Sequence, residues 1–362
     1  MLLYLTEIMG FNFTDSALFS SISLRAFFSF LTSLALVLTF GSKFIASMKL
    51  IQVRGQPIRD DGPKSHIIRK KGTPSMGGLL IIFTFFFSTL LWADITNIYI
   101  LIILLTSFLF GFLGFLDDIK KIKEQNPKGL SSHQKIVIQF LFSLIIVYLI
   151  SSQSNLEFRY SLSFPFITGT FLVGLLFYYA FTCLVIIGSS NAVNLTDGLD
   201  GLAIVPIILT LASFAIISCI SGNDMLSDNM NINYVSSADE ISVLCLSLTG
   251  SCLGFLWFNA PPAKIFMGDT GSLSLGSVLG STAVITKHEI VLFVIGGVFV
   301  LETISVVIQI ISFKLFKKRV FLMAPIHHHF EQKGWSESTI IIRFWIISFV
   351  LAIIGLATLK LR

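Results

Sequence analysis

The sequence predicts an all-α polytopic membrane protein in which residues 1–362 form a single integral membrane domain. Hydrophobic residues make up 54% of the 362 residues and charged residues only 12%, whereas soluble domains carry about 25% charged residues. The mean hydropathy of +0.86 agrees with this composition. Apolar segments of membrane-spanning length also recur along the chain, separated by polar stretches. These observations exclude an ordinary soluble domain and indicate a lipid bilayer as its surroundings.

Ten apolar segments predict ten transmembrane helices, because each is long enough, or nearly so, to cross the hydrocarbon core. The predicted spans cover residues 22–48, 76–92, 98–116, 136–150, 166–187, 202–220, 241–258, 273–286, 290–313 and 339–359. Residues 1–21 are mixed in composition and predict an amphipathic segment at the membrane interface.

The basic residues are distributed unevenly between the loops. Among the loops that join two spans, those after even-numbered spans contain only Arg159 and Lys287. The positive-inside rule therefore places the odd-numbered loops in the cytoplasm. With ten spans, both termini then lie on the periplasmic side. The polar loop motifs discussed below fall in the odd-numbered loops, which predicts one active site at the cytoplasmic face.

The stretch 191–201 separates two long apolar spans and carries two Asn, one Thr and two Asp. Carboxylates without partners are costly at membrane depth, and Gly198 and Gly201 let the backbone approach a ligand or turn sharply. One interpretation is a loop that binds a metal ion or a ligand. The other is a solvated, capped helix start, since Asn, Thr and Asp are good N-caps. The stretch alone favours both interpretations equally.

Asp117 and Asp118 directly follow the third predicted span. Two carboxylates at a helix C-terminus face the negative end of the helix dipole and need positive compensation. Lys120 and Lys121, a divalent cation, or both could supply it. Adjacent Asp residues can hold Mg²⁺ or provide a general base beside it. An isolated Asp pair is nevertheless more often a solvated helix end with local ion pairs.

Asp269 opens the eighth predicted span, with Thr270 and Ser272 as possible capping hydroxyls. It is either such a cap itself or a metal ligand beside a phosphate group, since a helix N-terminus favours anions. Asn259 lies just upstream, in the same predicted cytoplasmic loop.

Three consecutive histidines, 327–329, lie in the last predicted cytoplasmic loop. They cannot all point to one face of a helix, which argues against a zinc site with three His ligands. Imidazoles in a loop facing a diphosphate can donate hydrogen bonds to its oxygens. Lys70 and Ser75 precede the second span in a Gly-containing stretch that suits a phosphate, although membrane topology alone also demands basic residues there.

Glu302 lies inside the ninth predicted span. A carboxylate within the membrane is by default a functional hypothesis, and the alternative is a buried hydrogen bond between helices. A transporter with Glu302 in an ion path would carry charges at mid-membrane depth in several spans, whereas the other acidic residues lie at loop level. The carboxylates, cations, amides and imidazoles of the loops favour Mg²⁺-dependent phosphoryl transfer, in which a protein mainly positions groups and neutralises charge.

Four motifs together resemble a known superfamily of membrane enzymes. They are Asp117-Asp118, Asn-x-x-Asn-x-x-Asp-Gly-x-Asp-Gly at Asn191, Phe-x-Gly-Asp at Asp269, and Pro-Ile-His-His-His-Phe-Glu at 325–331. The chain is similar over nearly its whole length to the polyprenyl-phosphate N-acetylhexosamine-1-phosphate transferases. Within that superfamily, 325–331 most resembles the bacterial phospho-N-acetylmuramoyl-pentapeptide transferases.

This resemblance implies ten transmembrane helices, a homodimer, and a location in the bacterial inner membrane with the active site on the cytoplasmic face. It implies that undecaprenyl phosphate attacks UDP-N-acetylmuramoyl-pentapeptide, so that lipid I forms and UMP leaves, with Mg²⁺ as the cofactor. A transferase for UDP-N-acetylglucosamine is the alternative. The expected partners are these two substrates and the bilayer, with no nucleic acid. Both a one-step reaction and a covalent aspartyl-phosphate intermediate are compatible with the Asp pair.

The resemblance also implies residue roles. Asp269 is similar to the Mg²⁺ ligand, and Asp117 to the group that deprotonates or positions the lipid phosphate, with Asp118 close by as a third catalytic residue. The implied substrate-binding residues are Lys70, Ser75, Lys121, Lys135, Asn191, Asn194, Asp197, Asp200, Asn259, Phe266, His327 and His328, of which Phe266 would stack on uracil. Two positions depart from the family pattern: Ser75 replaces the usual Thr, and His133 replaces a common Arg.

Overall fold

The computed structural model describes residues 21–53, 55, 72–154, 159–167 and 169–360. Its first helices are α1 (Ile22–Ile51), α2 (Gly78–Trp92), α3 (Ile98–Glu124) and α4 (Ser132–Gln153). A two-stranded antiparallel sheet follows, β1 (Ser161–Ser163) and β2 (Thr170–Leu172). The next helices are α5 (Leu175–Thr196), α6 (Ile204–Ser221), α7 (Asp224–Asn229) and α8 (Ile241–Asn259). The last are α9 (Gly268–Thr286), α10 (Glu289–Ile295), α11 (Gly297–Phe316), α12 (Ile326–Gln332) and α13 (Glu337–Lys360).

Eight helices in the described part of the chain are long and apolar enough to cross a membrane, namely α1, α3, α4, α5, α6, α8 with the 3₁₀ turn before it, α11 and α13. Helix α2 is apolar but has only 15 residues. Helix α9 has 19 residues and is rich in Gly and Ser. The mainly helical architecture, with eight candidate membrane spans in the described residues, is therefore confirmed, while the count of ten spans and the periplasmic termini stay predictions.

Local sequence signals start several of these helices. The side chain of Asn97 accepts a hydrogen bond from the Tyr99 amide, with a distance of 2.9 Å, at the start of α3. Ser131 and Gln134 form a reciprocal capping box at the start of α4. Such caps satisfy backbone donors that have no partner inside the helix. They fix where α3 and α4 begin, and with them the positions of the polar residues that these helices carry.

Helix α9 lies at the centre of the bundle. It packs against α3 and α5, and also contacts α2 and α6. Every residue from Thr270 to Thr286 is buried. The many Gly and Ser residues of α9 allow neighbouring backbones to come close, as in other membrane helix pairs. For example, a Cβ atom on Gly276 would overlap the backbone of Ser189 in α5. The central helix thus has a small cross-section that brings polar groups of its neighbours together.

The structure corrects two predicted ends of spans. The third span does not end before Asp117, because α3 continues to Glu124 and ends with Gln125 in a left-handed conformation. The fifth span does not begin at Phe166. The sheet occupies that region, its turn includes Pro165, and α5 begins only at Leu175. The fold is therefore not entirely α-helical, because Pro disfavours a helix interior and the flanking residues pair as strands.

Three further predictions of loops and spans are corrected. Helix α5 continues to Thr196, so the first six residues of 191–201 are helical and not a loop. The ninth span is divided into α10 and α11 at Gly296, and Gly is a common position for a helix break. The histidine run is not in an irregular loop but lies within the short helix α12.

Candidate active site

Asp117, Asp118 and Asp269 come together at one end of the bundle. One carboxylate oxygen from each lies within 4.8 Å of the others. The first two project from α3, and Asp269 lies in the first turn of α9. Gly114, one turn before Asp118 on α3, makes this approach possible, because a Cβ atom there would overlap the backbone carbonyl of Asp269. The site therefore depends on a small residue at the point where α3 crosses α9.

Asp118 caps the N-terminus of α9. Its carboxylate accepts hydrogen bonds from the amide of Asp269 at 3.1 Å, and from the amide and hydroxyl of Thr270 at 2.9 and 2.7 Å. The expectation that Thr270 and Ser272 act as caps is therefore wrong, since the anion comes from another helix. The Ser272 hydroxyl instead donates to the carbonyl of Gly268. A carboxylate at a helix N-terminus is favoured by the helix dipole.

Two lysine side chains bridge Asp117 and Asp269. The Nζ atom of Lys121 lies 2.6 Å from Oδ2 of Asp117 and 2.9 Å from Oδ1 of Asp269. Lys135, from α4, places its Nζ 2.9 Å from the same Asp117 oxygen and 2.7 Å from Oδ2 of Asp269. We call Asp117, Asp118, Lys121, Lys135 and Asp269 the Asp–Lys cluster.

The Asp–Lys cluster carries three carboxylates and two ammonium groups, which leaves one formal negative charge when all are ionised. All five side chains are at most 18% exposed. Oδ2 of Asp117 contacts both ammonium groups but lies outside hydrogen-bond geometry with any donor in the described part of the chain. Oxygen ligands and excess negative charge are what Mg²⁺ requires. The donor set therefore fits a divalent cation, with Asp269 and Asp117 as its available carboxylates.

Two Asn side chains of α5 are oriented by neighbouring polar groups. Nδ2 of Asn194 donates to Oδ1 of Asp269 at 3.1 Å and to the Ser272 hydroxyl at 2.7 Å. Nδ2 of Asn191 donates to Oε1 of Gln139 at 2.8 Å. Asn194 thus contacts the Asp–Lys cluster, and its role as a substrate-binding residue stays a prediction. Asn191 lies one turn earlier on the same helix.

Ser75 approaches the cluster from the segment before α2. Its backbone is held by Gln52, whose side chain accepts from the Ser75 amide at 2.9 Å and donates to its carbonyl at 3.1 Å. The Ser75 hydroxyl is buried and has no hydrogen-bond partner among the described residues. A Cβ atom on Gly268, which has φ of 75°, would lie 2.7 Å from Asp118 Oδ2 and 2.8 Å from this hydroxyl. The unused hydroxyl and the cluster therefore face the same small space.

Three of the predicted substrate-binding residues hold the loops beside the site. The Asn259 amide accepts from the Gly201 backbone at 3.0 Å and donates to the Ile265 carbonyl at 2.8 Å. The Asp200 carboxylate accepts from the Ala263 amide at 2.9 Å. The Phe266 backbone pairs with Pro74 and Gly77, and its ring is half-buried.

Four predicted substrate-binding residues remain, namely Lys70, Asp197, His327 and His328. Asp197 forms the C-cap of α5 and is half-buried. His327 is buried, with its Nδ1 3.0 Å from Oε1 of Glu302. Nδ1 of His328 lies 2.6 Å from Oε2 of Glu331. Each of the three histidines has a different partner, since Nδ1 of His329 accepts from the Leu322 amide at 3.1 Å. Lys70 falls outside the described residues.

Two positioning residues, Gln52 and Gln139, were not predicted from the sequence. Gln139 is an amide within the fourth predicted span, and Gln52 lies in the predicted basic loop just after the first span. Both side chains are buried and hydrogen-bonded to predicted site residues. A buried amide in a membrane helix needs a partner, and this was the only available signal.

Comparison with known proteins shows which family the chain belongs to. The sequence matches the model of glycosyl transferase family 4 over residues 100–287, and phospho-N-acetylmuramoyl-pentapeptide-transferase signature 1 over residues 70–82. A phospho-N-acetylmuramoyl-pentapeptide-transferase of Pelagibacter ubique (strain HTCC1062) is 53% identical over 344 residues, covering 95% of each chain. One of Bartonella quintana (strain Toulouse) is 51% identical over 362 residues, covering 100% of each chain. The resemblance seen in the motifs is confirmed, and the chain belongs to the phospho-N-acetylmuramoyl-pentapeptide-transferase family.

Proposed function

We propose that the protein transfers phospho-N-acetylmuramoyl-pentapeptide from UDP-N-acetylmuramoyl-pentapeptide to undecaprenyl phosphate. The observation that carries this proposal is the Asp–Lys cluster in a chain that matches named transferases over its full length. Carboxylates and ammonium groups without an activated Ser or Cys suit phosphoryl transfer. The products are lipid I and UMP.

In the direct form of the reaction, a phosphate oxygen of undecaprenyl phosphate attacks the phosphorus attached to the sugar. A new P–O bond forms, and the P–O bond to UMP breaks. Asp117 takes the proton if the lipid phosphate arrives protonated, and UMP leaves as an anion. Lys121 and Lys135 neutralise the negative charge of the phosphates, which is the main requirement of such a transition state.

Mg²⁺ is the cofactor that suits this donor set, with Asp269 as its principal ligand and Asp117 beside it. When bound, Mg²⁺ would stabilise charge on the diphosphate oxygens. Asn194 supports this role because it fixes the orientation of the Asp269 carboxylate. Asp118 holds the backbone of Asp269 at the start of α9.

We place the protein in the bacterial inner membrane as a homodimer, with the Asp–Lys cluster at the cytoplasmic face. The charge distribution of the loops supports this orientation, and the soluble nucleotide donor is made available from that side. Lys70, Ser75, Asn191 and Phe266 are proposed to contact the donor. The unused Ser75 hydroxyl supports such a contact.

UMP exchange tests this proposal. Purified protein in detergent receives labelled UMP, Mg²⁺ and UDP-N-acetylmuramoyl-pentapeptide, with and without undecaprenyl phosphate. We expect exchange that needs Mg²⁺ and that falls by about 10²- to 10³-fold in Asp269→Asn. Asp228→Asn, an exposed position on α7, serves as the control and should exchange normally.

Each arm of this experiment has a defined meaning. Exchange that requires the lipid supports direct attack, and exchange that persists without lipid supports a covalent intermediate. Exchange with UDP-N-acetylglucosamine instead of the muramoyl donor would replace the proposed substrate with the alternative one. No exchange with either donor, from protein shown to be folded, would reject the transferase activity.

A further inference from the structure

Glu302 of α11 and His327 of α12 form an isolated polar pair inside the protein. Both side chains are fully buried, and Oε1 of Glu302 lies 3.0 Å from Nδ1 of His327. The two atoms meet the distance of an ion pair but not the geometry of a hydrogen bond, and no other donor or acceptor in the described part of the chain is in hydrogen-bond geometry with either side chain. A buried carboxylate and a buried imidazole are costly unless each has a partner. Each residue is therefore the other's principal polar partner.

The opposite side of the His327 ring meets the turn that follows α5. A Cβ atom on Gly198 would overlap Nε2 of His327, so the ring can occupy its place only because residue 198 lacks a side chain. Gly198 belongs to the polar stretch 191–201. The same stretch carries Asn194, which donates a hydrogen bond to Asp269 of the Asp–Lys cluster. His327 thus links the buried carboxylate of α11 to the end of α5.

His327 also supports its neighbour. The ring centroids of His327 and His328 lie 4.2 Å apart, with an angle of 57° between the planes. Nδ1 of His328 in turn lies 2.6 Å from Oε2 of Glu331. The side chain of His328 is 14% exposed, whereas that of His327 is 0% exposed. Of the two rings, His328 is therefore the one that solvent or a substrate can reach.

We propose that Glu302 is a positioning residue, which fixes His327 against Gly198 so that His328 is presented to the nucleotide donor. This deepens the proposed function and rests on it. A carboxylate beside Nδ1 favours the imidazole form that carries its proton on that atom, and it also fixes the ring plane. In this proposal His327 holds His328 in position, and His328 contacts the substrate.

Steady-state kinetics of two variants of Glu302 test the role. Glu302→Gln keeps an oxygen that can accept from Nδ1, so its KM for UDP-N-acetylmuramoyl-pentapeptide should stay within about threefold of wild type. Glu302→Leu removes the acceptor at similar volume and should raise this KM by about 10- to 100-fold, the usual effect of losing such a supporting partner. The affinity of both variants for Mn²⁺, a probe of the Asp–Lys cluster, should be unchanged.

A double-mutant cycle tests the packing without any need for activity. Gly198→Ala should lower the Tm of the wild type by several degrees but should not lower the Tm of His327→Ala, because the ring that its Cβ meets is gone. Gly188→Ala, on α5 before that turn, is the matched control. Its Cβ would have no heavy atom within 4 Å, and it should leave both backgrounds unchanged or slightly more stable.

Three results would overturn the proposal. One is wild-type kinetics in Glu302→Leu. Another is an equal rise in KM in Glu302→Gln and Glu302→Leu, or a loss of Mn²⁺ affinity that accompanies the rise in KM. The third is the same effect of Gly198→Ala on Tm in both backgrounds. An inactive wild type that still shows the expected cycle in Tm would reject the proposed transferase activity while confirming the Glu302–His327–Gly198 contact.

Discussion

Lys135 of α4 donates a hydrogen bond from Nζ to Oδ2 of Asp269, the residue at the start of α9, across 2.7 Å. The two residues are 134 positions apart in the chain. The same ammonium group also lies 2.9 Å from Asp117. The Lys135 ammonium group thus lies between the carboxylates of Asp117 and Asp269, the two that are best suited to bind a divalent cation.

We expect Lys135→Met to change metal affinity and activity in opposite directions. An ammonium beside a carboxylate competes with a metal ion for the same oxygens, so its removal should tighten Mn²⁺ binding by about tenfold. The exchange of UMP should nevertheless fall by about 10²-fold or more, because a cation that neutralises the phosphates is lost. Mn²⁺ titration followed by electron paramagnetic resonance measures the first effect.

Lys123→Met is the control for this pair of measurements. Lys123 lies near the end of α3 and is exposed, so its replacement should change neither Mn²⁺ affinity nor UMP exchange. Weaker Mn²⁺ binding in Lys135→Met would show that Lys135 supports the cation site and does not compete with it.

Asp118→Asn should loosen the start of α9. The Asp118 carboxylate accepts three hydrogen bonds, from the Asp269 amide and from the amide and hydroxyl of Thr270. The amide of Asn keeps one acceptor oxygen but lacks the charge that interacts with the helix dipole. We expect a loss of about 1–3 kcal/mol in the free energy of unfolding, measured by thermal or chemical denaturation in detergent.

Thr270→Val provides the graded comparison, because it removes only one of the three hydrogen bonds. Its loss of stability should be smaller than that of Asp118→Asn. If Thr270→Val were the more destabilising variant, the main contribution to the cap would come from the Thr270 hydroxyl and not from the charge of Asp118.

Gly114→Ala should separate α3 from α9. The added Cβ would overlap the Asp269 backbone carbonyl, and overpacking of this kind costs about 1–3 kcal/mol. The overlap would move α3 away from α9 at the point where Asp118 and Asp269 meet. UMP exchange should therefore fall more than the folded fraction does. Gly188→Ala has free space and should instead gain some stability, since Ala favours a helix. Equal stability of the two variants would contradict the close crossing.

The amino-acid sequence predicted the residues of the Asp–Lys cluster better than it predicted how they meet. Lys121 follows Asp117 by four positions on one helix, and this spacing alone favours an ion pair. The approach of α3 to α9 depends on Gly114, whose role is visible only when the two backbones are placed together. The apolar segments also marked the spans but not their ends, because the mainly polar segment 117–124 continues the helix of the third span.

The roles of Gln139 and Glu302 show the same limit. Each is a strongly polar side chain in a mainly apolar helix, which predicts a buried partner but does not identify it. The partners, Asn191 and His327, lie 52 and 25 positions away. Residues 166–174 were misassigned for another reason: an apolar composition is shared by strands and helices, and the antiparallel pairing of β1 with β2 decided between them.

Lys287, at the opposite end of α9 from Asp269, should make stability depend on pH. Its side chain is buried and donates to the Tyr178 hydroxyl at 2.8 Å and to the Arg159 carbonyl at 3.2 Å. Burial lowers the pKa of Lys287 from 10.5 to about 8, although the nearby charge of Glu289 acts in the opposite direction. Between pH 8 and 10.5 the unfolded state therefore binds more protons than the folded state.

The stability contributed by Lys287 should accordingly rise as pH increases through this window and be independent of pH below it, where both states are protonated. The difference in Tm between wild type and Lys287→Met, measured from pH 7 to pH 10, isolates this contribution from that of other groups. Lys318→Met, at an exposed position, should show a constant difference. A constant difference for Lys287→Met as well would mean that the buried amine keeps its ordinary pKa, held there by Glu289.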